Sequence, residues 1–187
     1  MTPARFFTDS SLDFLARRLR FLGYDVTTVR GARLEELLEL AGREGGIVLT
    51  RSARHPRRFG ATPVLTTTGA DAPAELRTIA GRYAPAGAPF SRCPACNVAL
   101  RTRHPLEARG EIPGRVFRAI RAVAFCPMCG KWYWEGSHVA RIRAWLESAL
   151  GRPLVSDAPG GGPPREAPAH DADAPRDSAP ESRDPAP

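Results

Sequence analysis

Lysine is almost missing from this chain of 187 residues: of its 27 basic side chains, all but Lys131 are arginine. Aromatic residues make up only 7%, and there are four cysteines. No apolar run approaches the roughly 20 residues that cross a bilayer. Residues 1–7 lack the apolar segment of a secretory signal. Neither membrane insertion nor export is therefore expected, and a soluble cytoplasmic protein is. Without an export signal, disulfides are the less favoured use of the cysteines.

The charge is unevenly spread. Residues 151–187 carry nine prolines, a Gly-Gly-Gly-Pro-Pro run and seven acids against four arginines, a net of −3. Such a stretch buries too little apolar surface to offset chain entropy, so a disordered tail is expected there. Residues 1–150 hold 23 basic against 13 acidic groups, a net of +10. That balance suits a phosphate-bearing partner, and guanidinium groups suit both phosphate and stacking contacts.

Residues 4–83 alternate between strand and helix patterns. Residues 5–8 read as a first strand, followed by a helix to Leu22 that Gly23 ends. Ser10 and Asp13 have capping-box spacing at its start. Leu12, Leu15, Leu19 and Leu22 share one face. Phe14 and Phe21 lie opposite, which predicts a helix covered twice, by the sheet and by a second module. Further strands are expected at 24–29, 47–50 and 63–67, and helices at 34–43 and 73–83. Strands separated by helices imply a parallel sheet with right-handed crossovers. A last amphipathic helix places Val139, Ile142, Trp145, Leu146 and Ala149 on its apolar side.

All four cysteines fall in two pairs, Cys93-Pro94-Ala95-Cys96 and Cys126-Pro127-Met128-Cys129. A CxxC turn aims two thiolates at one point, and two such turns complete a tetrahedral site for a structural Zn²⁺. A redox pair is the alternative, but one active pair leaves the other unexplained. After the second pair, strand alternation puts Tyr133 opposite Trp132 and Trp134. Those rings either cover the small module or stack on bases. His138 reads as a helix-start or surface residue.

Asp9 follows the first strand, where parallel sheets carry functional side chains. With Ser10 as N-cap, Asp9 is free to face a cleft. Glu35, Glu36 and Glu39 open the second helix, and Asp25 and Asp71 are the other acids of this region. Carboxylates converging at strand ends hold Mg²⁺ or Mn²⁺ and activate water for phosphodiester hydrolysis. The alternative is a helix cap for Asp9 and a solvated helix face for the glutamates.

The stretch Phe7-Thr8-Asp9-Ser10-Ser11-Leu12, the run from Leu15 to Asp25, Leu49-Thr50-Arg51 and the two cysteine turns together resemble a known family. It comprises the PIN-like ribonuclease domains with a C-terminal zinc ribbon, relatives of the C-terminal domain of the worm Mut-seven exonuclease. The similarity spans about residues 4–150. It implies a three-layer α/β/α PIN-like core at 1–90 with a parallel sheet. A zinc ribbon with closing helix would follow at 91–150 and the tail at 151–187. It also implies metal-dependent cleavage of RNA. Asp9 matches the family's first-strand acid, and Glu35 or Glu36 the second. The acid after Leu-Thr-Arg is Ser52 here, a poor substitute for an anionic ligand, with Asp71 or Asp25 as candidate replacements. Asp9, Glu35, Glu36 and Asp71 are thus the expected catalytic set. Arg17, Arg18, Arg20 and Arg51 are the expected RNA contacts, and Cys93, Cys96, Cys126 and Cys129 the zinc ligands. An RNA-binding relative without turnover is the alternative function.

Overall fold

The computed structural model describes residues 3–118 and 120–155. Of the tail expected to be disordered at 151–187, residues 156–187 lie outside the described residues, whereas Leu154 packs on the core. Strand β1 (Arg5–Thr8) is followed by a 3₁₀ turn (Ser10–Leu12) and helix α1 (Asp13–Phe21). Next come β2 (Asp25–Thr28), α2 (Leu34–Glu44), β3 (Ile47–Thr50), β4 (Val64–Thr66) and α3 (Ala72–Arg82). The four strands form one parallel sheet in the order β2-β1-β3-β4.

Both faces of this sheet are covered, so its central strands are apolar without alternation. Phe6 and Leu49 face the side built by Leu15, Leu19, Leu76 and Ile79 of α1 and α3. Phe7 and Val48 face Leu37, Leu38 and Ala41 of α2. Because every strand points the same way, α1, α2 and α3 all begin at the C-terminal edge of the sheet.

Residues 91–136 form a second unit. Strand β5 (Arg101–Arg103), the one-turn helix α4 (Gly114–Phe117), β6 (Val123–Phe125) and β7 (Trp132–Tyr133) give an antiparallel sheet in the order β5-β6-β7. Its small core is Ala108, Ile112 and Val123, covered by Phe117, Ile120, Trp132 and Trp134. The expected opposition of Tyr133 to the two tryptophans holds. Tyr133 turns instead to the cysteines, where its hydroxyl lies 3.1 Å from Cys93 Sγ.

Helix α5 (Ser137–Leu150) returns to the first unit. Grouped with the ribbon on sequence, it packs on the core: Leu146 and Ala149 are buried in the cluster of α1 and α3. The Arg77 guanidinium donates to Ala149 O at 2.7 Å and so caps the helix end. Among the described residues no helix is long and apolar enough to cross a membrane.

Two expectations about α1 are corrected. Ser10 is not its N-cap: Asp9 caps the 3₁₀ turn ahead of the helix, accepting the Ser11 N–H at 2.7 Å, and α1 follows Leu12 with no side-chain cap. The double cover holds for only one of the two phenylalanines. Phe21 is half-buried against Phe90, 5.6 Å away, where the incoming ribbon segment donates its Phe90 N–H to Phe21 O. Phe14 is 57% exposed, because the ribbon docks at the other end of the helix. Gly23 makes that docking possible: at φ +87° it ends α1, and a Cβ there would sit 2.0 Å from Gly87 O.

Candidate metal centre and sheet-edge site

The two cysteine turns share one backbone design. Asn97 N–H donates to Cys93 O and Gly130 N–H to Cys126 O, both at 2.9 Å. The residue after each second cysteine is left-handed, Asn97 at φ +66° and Gly130 at φ +70°. These turns bring the four sulfurs within 4.8 Å of one another. A tetrahedron with Zn–S bonds of about 2.3 Å has S···S edges of about 3.8 Å, and Cys93 Sγ lies 3.8 Å from Cys129 Sγ. The donor set and its spacing therefore fit a structural zinc, and four thiolates leave no position open for catalysis.

Proton affinities in the cluster are split. Burial pushes the Cys93 thiol up, but the bond from Tyr133 and the backbone N–H groups of Cys96 and Ala95 outweigh it and hold it at about 7. Burial and the neighbouring thiols Cys129 and Cys93 push Cys96 up to about 12. Cys126 is also raised, by burial first. Tyr133 is raised by burial and by its bond to Cys93. Without metal the cluster carries protons that a bound dication displaces.

The ribbon is fastened to the outer edge of β2. Asn97 Oδ1 accepts the Val26 N–H at 3.0 Å, and its Nδ2 donates to Asp25 at 2.6 Å. Arg20 is only 2% exposed. Its Nε donates to Val26 O at 2.9 Å, one Nη to Pro94 O at 2.8 Å and the other to Thr28 Oγ1 at 2.7 Å. Burial lowers its pKa, opposed next by Asp13. Arg20 is thus corrected from an RNA contact to a structural strut, its donors spent inside the protein. Asp25 is likewise removed from the acids available at the site. It lies at the N-terminal end of β2, held by Arg5, Arg92 and Asn97. Asn97→Gly keeps the left-handed turn and deletes the fastening. It is expected to retain metal at wild-type stoichiometry and to lose about 1–3 kcal/mol in urea unfolding. Unchanged stability would show that this contact carries none.

At the opposite, C-terminal edge the expected acids are present but dispersed. Asp9 uses Oδ1 as a cap and leaves Oδ2 unpartnered among the described residues. Glu35 pairs with Arg58. Glu36 closes the start of α2 by accepting the Arg33 N–H at 2.9 Å. Asp71 caps α3 through Ala74 N–H at 2.9 Å. Ser52 is occupied in its own turn, donating to Arg54 O at 3.0 Å. Among the described residues the four cysteines are the one group of three or more metal-ligating side chains brought close together. Asp9, Glu35, Glu36 and Asp71 form no such cage.

Two polar groups at this edge escaped the sequence reading. Glu75, in the first turn of α3, accepts Gly69 N–H at 2.8 Å through Oε1, while Oε2 is buried without a partner. Thr8, fully buried at the end of β1, also has an unpartnered hydroxyl. No spacing rule marks either, and Glu75 is held by the loop after β4 through Thr68 and Gly69. Arg51 is exposed after β3, and the loop beyond it adds Arg54, Arg57 and Arg58. Arg17 is exposed and paired with Asp13 at 2.9 Å, and Arg18 is half-buried.

A family model described as the Mut7-C RNAse domain matches residues 4–146. The chain belongs to the Mut7-C RNAse domain family. Neither the curated proteins nor the solved structures give a match. Membership joins the two structural units under one heading, since the matched span runs from β1 through the cysteine turns into α5. It also makes RNA the substrate class indicated for this fold. In this Mut7-C RNAse domain the acids at the sheet edge are dispersed, and Ser52 follows the Leu49-Thr50-Arg51 stretch.

Proposed function

We propose that the chain is a PIN-like, divalent-metal-dependent ribonuclease that works at the C-terminal edge of its parallel sheet. The supporting observation is Asp9: a family-matched carboxylate at the end of β1, with one oxygen uncommitted, beside a loop of arginines. Mg²⁺ is commonly held by one or two carboxylates together with substrate phosphates. The side chains here suit an ion that arrives with RNA, with Asp9 as its protein ligand and Glu35 or Glu36 as the second carboxylate that the resemblance implies. Such an ion, when bound, neutralises phosphate charge and makes water a better nucleophile. Arg51 and its neighbours in the loop hold the RNA backbone, and the zinc ribbon keeps β2 and α1 in place.

Cleavage of labelled single-stranded RNA with Mg²⁺ or Mn²⁺, against metal-free controls, tests this directly. Asp9→Asn is expected to lower the rate at least about 100-fold with an unchanged melting temperature. Metal-independent cleavage, or full activity in Asp9→Asn, refutes the assignment. Ser52 and the dispersed acids favour a second reading, a relative that binds RNA without turnover. In that case wild-type protein shows salt-sensitive binding and no metal-dependent cleavage. Ser52→Asp then restores cutting if the missing carboxylate is the cause.

A further inference from the structure

Helices α1 and α5 lie side by side without closing on one another, leaving a groove of about 480 Å³ lined by Arg18, Phe21, His138, Arg141, Ile142 and Trp145. Its floor is apolar and aromatic, and its rim carries basic groups and no acid. The nearby Arg17 and Arg143 are each paired with a carboxylate, Asp13 and Glu135. Among the described residues, Arg18 and Arg141 have no such partner. The Arg18 guanidinium carbon sits 3.2 Å from the Phe14 ring centroid and 4.5 Å from that of Trp145. Its Nε is buried with no acceptor. A cation layered between two rings suits an anion that carries flat apolar surface.

The two rings remain open to such a ligand, Phe14 at 57% and Trp145 at 37% exposure. Arg18 thus links Phe14 to Trp145, and His138 and Arg141 line the same groove with Phe21. Phe14, stacked on the groove residue Arg18, lies in the first turn of α1, just after the segment that begins with Asp9.

We propose that this groove is the track for single-stranded RNA, stacking unpaired bases on Phe14 and Trp145 and holding phosphates with Arg18 and Arg141. The proposal rests on the ribonuclease reading and deepens it by naming the face that delivers substrate to Asp9. Duplex RNA is a poor fit, because its bases are already stacked within the helix and its deep groove admits no side chains. Unpaired bases stack on aromatic rings regardless of sequence, and a basic groove tracks their backbone.

Fluorescence anisotropy with a labelled single-stranded RNA, a duplex of the same sequence and the full chain, without added Mg²⁺ or Mn²⁺, tests the track. Phe14→Leu removes the ring but keeps apolar cover over Arg18, and Arg141→Gln removes a rim charge from an exposed site. Together they are expected to weaken single-strand binding roughly tenfold or more, leaving duplex binding and the melting temperature unchanged. Arg141→Gln alone lowers the salt dependence by about one phosphate contact. Wild-type single-strand binding that the double variant retains within about twofold overturns the groove while leaving the ribonuclease reading intact. So does an equal loss for duplex and single strand. Wild-type protein that binds no RNA overturns the groove, while the ribonuclease reading falls only if the metal-dependent cleavage assay also fails. Self-association that the variants abolish, with RNA binding untouched, assigns the groove to a second copy of the chain and overturns the track.

Discussion

Cys126→Ser is expected to reduce bound zinc from one ion per chain to near none and to unfold residues 91–136. Cys126 is fully buried, and a serine hydroxyl does not replace a thiolate ligand. The module has little else to hold it. Its buried apolar core is Ala108, Ile112 and Val123, and each fully buried Val or Ile contributes about 1.5–3 kcal/mol. Ordering its backbone costs about 1–2 kcal/mol per residue. A structural zinc supplies an apparent 10–16 kcal/mol in comparable small modules, large enough to decide the balance. Elemental analysis with limited proteolysis checks this. Cleavage is expected to appear between residues 97 and 126 in the variant and after chelation of the wild type. A variant that keeps its metal and stays resistant would show that three sulfurs suffice.

Arg20→Met is expected to cost about 3–5 kcal/mol of folding stability, a large part of what a domain of this size has. The guanidinium makes three bonds of 3.0 Å or less, to Val26 O, Pro94 O and Thr28 Oγ1. Removing it strands two partly buried carbonyls, and methionine fills the space without pairing them. Arg20→Lys is expected to rescue little, since one ammonium does not replace a planar fork aimed at three acceptors. Arg17→Met, less than one turn away on the same helix, removes only an exposed i,i+4 pair and is expected to change stability by about 0.5 kcal/mol or less. Urea unfolding of the three variants separates them. A stable Arg20→Met protein with weakened RNA binding would return Arg20 to the substrate surface.

These contrasts show what the amino-acid order makes legible. The cysteine cluster is written in two local turns, so its ligands follow from spacing alone. Tyr133 separates from Trp132 and Trp134 by simple alternation. The parallel sheet follows from strands that alternate with helices. Arg20 does not yield to such reasoning, because its burial depends on carbonyls of the ribbon more than 70 residues later. On sequence it looks like Arg17 and Arg18. Asp9 is ambiguous for a different reason: capping and ion binding ask for the same residue at the same place, and here one oxygen caps while the other stays open. The destination of α5 was illegible too. An apolar stripe says that a helix is covered, not by which neighbour, and Leu146 reaches back to α1 and α3 across the whole ribbon.

The fastening at Val26 also bears on solubility. Strand β2 is one of the two edge strands of the sheet, and the outward N–H and C=O of its Val26 are occupied by Asn97 and Arg20. An unguarded strand edge is a template for pairing with another chain. Metal loss that frees Asn97 would therefore uncover a sticky border and turn a local unfolding event into aggregation. The zinc ribbon serves in this way as a detachable guard, and the fraction of chain lost to precipitate should track the fraction without metal.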